Sequence, residues 1–154
     1  MYFHLIKDLQ FWIVLLSAFP VWFVLFFTDF QIKGLNESSQ FLSDFLFVGL
    51  LYPVIEELCF RGFIQTSLRK IPYLSVSLIG LSCANIFTSF LFAALHMFYQ
   101  PLFMAMLVFI PSLVFGYFRD RYDSVVPAII LHVFYNCGWL LFSYVILSVD
   151  HSTV

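Results

Sequence analysis

Residues 102–118 read LFMAMLVFIPSLVFGYF, residues 119–124 read RDRYDS, and residues 125–149 read VVPAIILHVFYNCGWLLFSYVILSV. The outer blocks carry no Asp, Glu, Lys or Arg, whereas the middle block holds four such residues in six positions. A helix crossing the hydrocarbon core needs about 20 apolar residues. The segment therefore reads as two membrane spans joined by a charged turn, with Ser124 as a helix cap and Pro127 tolerated in a first helical turn.

The same pattern continues toward the N-terminus. Apolar stretches run from about Leu9 to Phe30, Phe41 to Leu68 and Tyr73 to Phe98. A polar loop at Lys33–Ser39, a basic turn at Arg69–Pro72 and the short connection Gln100-Pro101 divide them. Across its 154 residues the chain is 62% hydrophobic and 10% charged. An ordinary soluble domain has roughly 45–50% apolar and about 25% charged residues, so too little polar surface is available to face water. The expected fold is all-α, a polytopic membrane helix bundle of about five transmembrane helices. Residues 1–154 form a single integral membrane domain, with a core over 41–149 preceded by one N-terminal span. The first run is long and lacks an A-x-A-like site, unlike a removable signal peptide.

Seven Lys and Arg against nine Asp and Glu leave no basic patch for nucleic acid. Cys59, Cys83 and Cys137 stand singly in apolar runs and read as small buried hydrophobes. Because loops alternate sides, Lys7, Arg69, Lys70, Arg119 and Arg121 fall on one side and Lys33 on the other. The excess of cations marks the cytoplasm, which puts the N-terminus inside and the C-terminus outside.

Ionisable groups within a bilayer are costly and point to function. Setting loop charges aside leaves Asp44, Glu56, Glu57, Arg61, His96 and His132, with Asn85 and Asn136 as uncharged companions. Asp44 is close enough to a span end to be interfacial, and Asn85 fits helix packing. Glu57 and Arg61 are four residues apart and share a helical face. Glu56 is rotated about 100° from Glu57 and is read as a carboxylate in apolar surroundings, where it can act as a general base. The same residues also fit a purely structural ionic knot. Phe92 and His96 share a face, although His96 alone fits an interfacial histidine. His132 and Asn136 share another face, from which both can donate toward one oxyanion or bond across helices. A carboxylate, two imidazoles and an amide, separated by 40 and 36 residues, form a parts list for activating water.

Glu-Glu-x-x-x-Arg-Gly at Glu56–Gly62, Phe-x-x-x-His at Phe92–His96 and His-x-x-x-Asn at His132–Asn136 together resemble the CPBP family. This family comprises CAAX prenyl proteases and bacteriocin-processing, ABI-like intramembrane proteases. The resemblance covers about Phe41 to Leu141, in a chain that is short for the family. It is similar in size to the small glutamic-type proteases associated with JDVT-CTERM sorting signals. The resemblance implies that Glu56 activates water with help from His96, and that His132 and Asn136 stabilise the oxyanion. Glu57, Arg61 and Phe92 are implied to be supporting residues. It further implies a membrane-anchored or lipidated protein substrate, a bacterial cytoplasmic membrane and no cofactor. Zinc on Glu56, His96 and His132 stays open as an alternative, although the chain has no His-Glu-x-x-His helix. A non-enzymatic scaffold or immunity-type protein, or a proton-relay subunit, also accommodates the polar residues.

Depth poses a difficulty. Glu56 lies roughly 20 Å from the turn at Arg69 and His132 about 13 Å from Asp123, whereas a straight third span puts His96 about 25 Å from the cytoplasmic side. Tilting, or a break near Gly80 to Asn85, would close the gap.

Overall fold

The computed structural model describes residues 5–27 and 38–150. Lys33 and the last residues of the expected first span lie outside the described residues. Helices α1 (Leu9–Leu16) and α2 (Ala18–Phe27) are followed by one helical run from Ser38 to Leu68. Within that run α3 (Ser38–Asp44), α4 (Tyr52–Glu57) and α5 (Thr66–Leu68) alternate with π-wound stretches at Phe45–Leu51 and Leu58–Gln65. A short α6 (Pro72–Ser75) leads into a hairpin of β1 (Ser77–Leu78) and β2 (Leu81–Ser82). Three helices complete the chain: α7 (Cys83–His96), α8 (Leu102–Tyr122) and α9 (Val126–Asp150). Helices satisfy their own backbone groups, as lipid requires. Leu102–Tyr122 and Val126–Tyr144 are long and apolar enough to cross a membrane, and Leu9–Val24 and Cys83–His96 are shorter apolar helices.

Three expectations need correction. The third span does not begin at Tyr73, because its helix starts at Cys83. Ile79 and Gly80 turn the chain at positive φ (53° and 82°), which pairs Ser77 with Ser82 and Leu78 with Leu81. Ser82 then caps α7, its hydroxyl accepting from Asn85 N at 3.0 Å. The charged segment after Phe118 is not a loop either. Helix α8 runs on through Arg119 and Asp120 to Tyr122 and ends at Asp123, a left-handed residue at φ 47°. Ser124 lies just beyond, its hydroxyl accepting from Val126 N at 3.3 Å. The cysteines are not buried: Cys59 is exposed and Cys83 and Cys137 are half-buried, all three as free thiols. A weakly polar thiol loses little against hydrocarbon.

The chain divides into two compact units, Ile55–Ile130 and Met1–Val54 with Leu131–Val154. In the Ile55–Ile130 unit a ladder on the 38–68 helix meets a ladder on α8. Arg61 Nη2 donates to Ser112 O at 2.9 Å and to its hydroxyl at 2.6 Å. Gln65 Nε2 donates to Gly116 O at 3.0 Å and Asp120 Oδ1 at 2.9 Å. Arg69 Nη1 reaches Asp120 Oδ1 at 3.2 Å. Arg61–Ser112, Gln65–Gly116 and Arg69–Asp120 are each 51 residues apart in sequence, so the two helices run parallel. In a pure α-helix a step of four residues drifts by about 40°. Mixing α turns with wider π turns brings the period nearer four and keeps Glu57, Arg61, Gln65 and Arg69 in line.

Helix α7 packs antiparallel against α8. Ser82 donates to Asp120 Oδ2 at 2.5 Å, and Asn85 Nδ2 donates to Leu113 O at 2.9 Å. Gly116 permits this approach, since an added Cβ would overlap the Asn85 side-chain amide. Asp120 also accepts from Arg119 Nη1 at 3.0 Å, so one carboxylate ties Gln65, Arg69, Ser82 and Arg119 together.

In the other unit the N-terminal helices pack on α9. Trp22 Nε1 donates to Tyr135 O at 3.2 Å, and the Tyr135 hydroxyl donates to Val14 O at 2.6 Å. The Trp22 ring fills the space beside Gly138, where a Cβ would overlap it.

Candidate active site

Within the Ile55–Ile130 unit the residues of the first two motifs meet. Glu57 Oε2 lies 3.3 Å from Arg61 Nε, and both side chains are fully buried. The Arg61 guanidinium sits 5.2 Å from the centre of the Phe92 ring. Phe92 meets Phe60 edge-on at 4.9 Å and the His96 ring at 4.5 Å. The winding of the helix gives Glu57 and Arg61 one face, while Glu56 is half-buried beside them.

His96 Nδ1 lies 2.8 Å from Phe92 O. A carbonyl can only accept, so Nδ1 carries the proton, and the unprotonated nitrogen of the neutral ring is Nε2. The histidine is therefore oriented by the backbone one turn before it.

Beginning α7 at Cys83 rather than Tyr73 shortens the helical distance to His96. Ser82 and Arg69 both bond Asp120, which gives the two helices a common reference height. Fourteen residues from Ser82 to His96 rise about 21 Å, whereas the thirteen from Arg69 back to Glu56 include the π-wound stretch Leu58–Gln65 and rise less than the roughly 20 Å of a pure α-helix. His96 follows Phe92 by one turn and Glu56 precedes Arg61 by about one turn, so both stand beyond the Arg61–Phe92 contact on the side away from Asp120.

His132 and Asn136 belong to the other unit. His132 is buried and Asn136 is half-buried on α9. Asn136 Nδ2 donates to Val48 O at 3.1 Å, and Cys137 Sγ lies 3.2 Å from Gly49 O. An amide nitrogen carries two hydrogens, so Val48 takes one of them. Among the described residues no group of three or more His, Cys, Asp or Glu is placed to hold a metal ion.

The sequence reading overlooked the supports beneath Glu57: Gln65, Ser112, Asp120, Thr66 and Arg119. Thr66 donates to Arg61 O at 2.8 Å and accepts from Arg119 Nη2 at 2.8 Å. The signal that could have revealed them is the four-residue spacing of 57, 61, 65 and 69, repeated at 112, 116 and 120.

Residues 38–138 match the model of the family described as type II CAAX prenyl endopeptidase Rce1-like. No curated protein and no solved structure matches the chain. The matched region covers about two-thirds of the sequence and contains every residue of the three motifs, from Glu56 to Asn136. The family's members are integral membrane proteases of the CAAX type within the CPBP group. The chain belongs to the type II CAAX prenyl endopeptidase Rce1-like family.

Proposed function

We propose that this membrane protease is a glutamic-type intramembrane endopeptidase working through the protein's own groups, without a metal ion. Glu56 takes a proton from water while the water oxygen bonds to the scissile carbonyl carbon. His96 Nε2 accepts a hydrogen bond that orients the same water. His132 and the second Asn136 hydrogen donate to the oxyanion. Collapse breaks the C–N bond, and Glu56 returns its proton to the leaving amine. Glu57 and Arg61 hold the helix that carries the base. The substrate is a membrane-anchored or lipidated protein cut near a C-terminal tail. The chain crosses the bilayer five times with its N-terminus in the cytoplasm.

What most supports this reading is the Arg61–Phe92 contact, beyond which Glu56 and His96 both lie by about one turn. The test is mass spectrometry of the termini of a co-expressed membrane protein with a C-terminal apolar tail. Glu56→Gln is expected to lower cleavage by roughly a hundredfold or more with an unchanged thermal midpoint, and cleavage by the unaltered protein is expected to survive exhaustive chelation. Full cleavage by Glu56→Gln would refute the base assignment, and loss of activity on chelation would bring back the metal.

A further inference from the structure

Pro53 stands inside the helical run, three residues before Glu56. Its nitrogen has no hydrogen to donate. In an α turn that hydrogen would go to Gly49 O, and in a π turn to Val48 O. The preceding stretch is π-wound, and Tyr52 N–H donates to Phe47 O. One of these two consecutive carbonyls therefore lacks its Pro53 partner: Val48 where the π winding of the preceding stretch continues, Gly49 where it gives way to an α turn. Both are met by consecutive residues of α9. Asn136 Nδ2 bonds Val48 O at 3.1 Å and Cys137 Sγ bonds Gly49 O at 3.2 Å. Gly49 makes the approach possible, since an added Cβ would lie 3.0 Å from Cys137 Sγ and 3.3 Å from Leu140 Cδ1. All of these residues lie in the same unit.

We infer that Asn136 is a positioning residue: its amide replaces the hydrogen missing at Pro53 and so secures the helical turn around this proline, which the chain follows directly into Glu56. The link to Glu56 as a base rests on the protease reading, whereas the link between Asn136 and the turn around Pro53 does not. One amide hydrogen is spent on the backbone, and the other serves the oxyanion.

The test compares the full chain with Asn136→Ala, Pro53→Ala and the double variant in lipid nanodiscs, by hydrogen exchange over residues 45–57 and by substrate cleavage. Asn136→Ala is expected to raise exchange over that segment roughly fivefold. Pro53→Ala supplies a backbone N–H, so the double variant is expected to return to within about twofold of the natural chain. Unchanged exchange in Asn136→Ala, or a double variant as labile as Asn136→Ala, overturns the inference. If Asn136→Ala does not fold, Asn136→Leu gives the same reading, because a side chain of similar shape without polar hydrogens cannot donate. Recovered protection without recovered cleavage supports both uses of the amide. Recovery of both leaves Asn136 with the positioning role alone. Absence of cleavage by the natural chain counts against the protease reading and leaves the exchange result standing.

Discussion

The Arg61 guanidinium carbon lies 5.2 Å from the centre of the Phe92 ring, so the arginine of one motif and the phenylalanine of the next form a single contact. A fully buried guanidinium costs several kcal/mol unless it is met on several sides. Arg61 is met by Glu57, by Ser112 and by the aromatic face of Phe92.

Removing one partner should therefore be worse than removing the pair. Glu57→Ala is expected to cost about 3–5 kcal/mol by leaving a buried charge uncompensated. The apolar double variant Glu57→Leu/Arg61→Met should lose much less. Thermal midpoints in detergent distinguish the two, and equal losses would contradict the ion pair's role.

Glycines divide into those that separate helices and those that do not. Gly116→Ala would drive a methyl into Asn85 and Gln65 Oε1, the latter at 2.9 Å, at a cost of about 1–3 kcal/mol. Gly62→Ala meets nothing nearer than Glu57 O at 3.9 Å and should be neutral, or stabilising by about 0.5–1 kcal/mol. Thermal denaturation of the two variants should give shifts of opposite sense or very different size.

His96 should occupy the Nδ1-protonated neutral tautomer, which nitrogen chemical shifts of selectively labelled protein report directly. The side-chain amide introduced by His96→Asn keeps a donor near the Phe92 carbonyl but has no counterpart of Nε2. That variant is expected to keep its thermal midpoint and lose cleavage by roughly a hundredfold. An active His96→Asn protein would remove Nε2 from the chemistry.

Orientation is checked by thiol labelling in a background with the natural cysteines replaced by serine. Lys70→Cys and Asp123→Cys should react with an impermeant maleimide only after cells are opened. Tyr99→Cys, at an exposed position, should react in intact cells. The reverse pattern would invert the topology.

Local rules carried part of this architecture. The Glu57–Arg61 pair was legible because four-residue spacing on a helix needs no knowledge of neighbours. Asp120 was not legible in the same way. A charge cluster after an apolar run reads as a membrane boundary, yet Arg119 and Asp120 stay helical and find partners supplied by Thr66, Gln65, Arg69 and Ser82. Hydropathy likewise cannot tell a hairpin of apolar residues from a turn of helix, so Tyr73–Leu81 was absorbed into a span. The clues were Gly80 and the Ser82–Asn85 cap. Among the proposed catalytic groups, the motif spacing supplied the residue types, but the distance of His96 from the start of its helix depended on where α7 begins.

The rungs between the 38–68 helix and α8 also forbid slippage. Two parallel helices with a four-residue repeat could slide by one repeat, about 6 Å, and still fit in shape. Here such a slide would set Arg61 against Val108 or Gly116 and pull it from Ser112, at a cost of roughly several kcal/mol for the stranded ion. Lipid imposes no comparable preference, because an apolar side chain is equally at home at neighbouring depths. The elevation of Glu56 is thus encoded by the order of hydroxyl, bare backbone and acid along a single neighbouring helix.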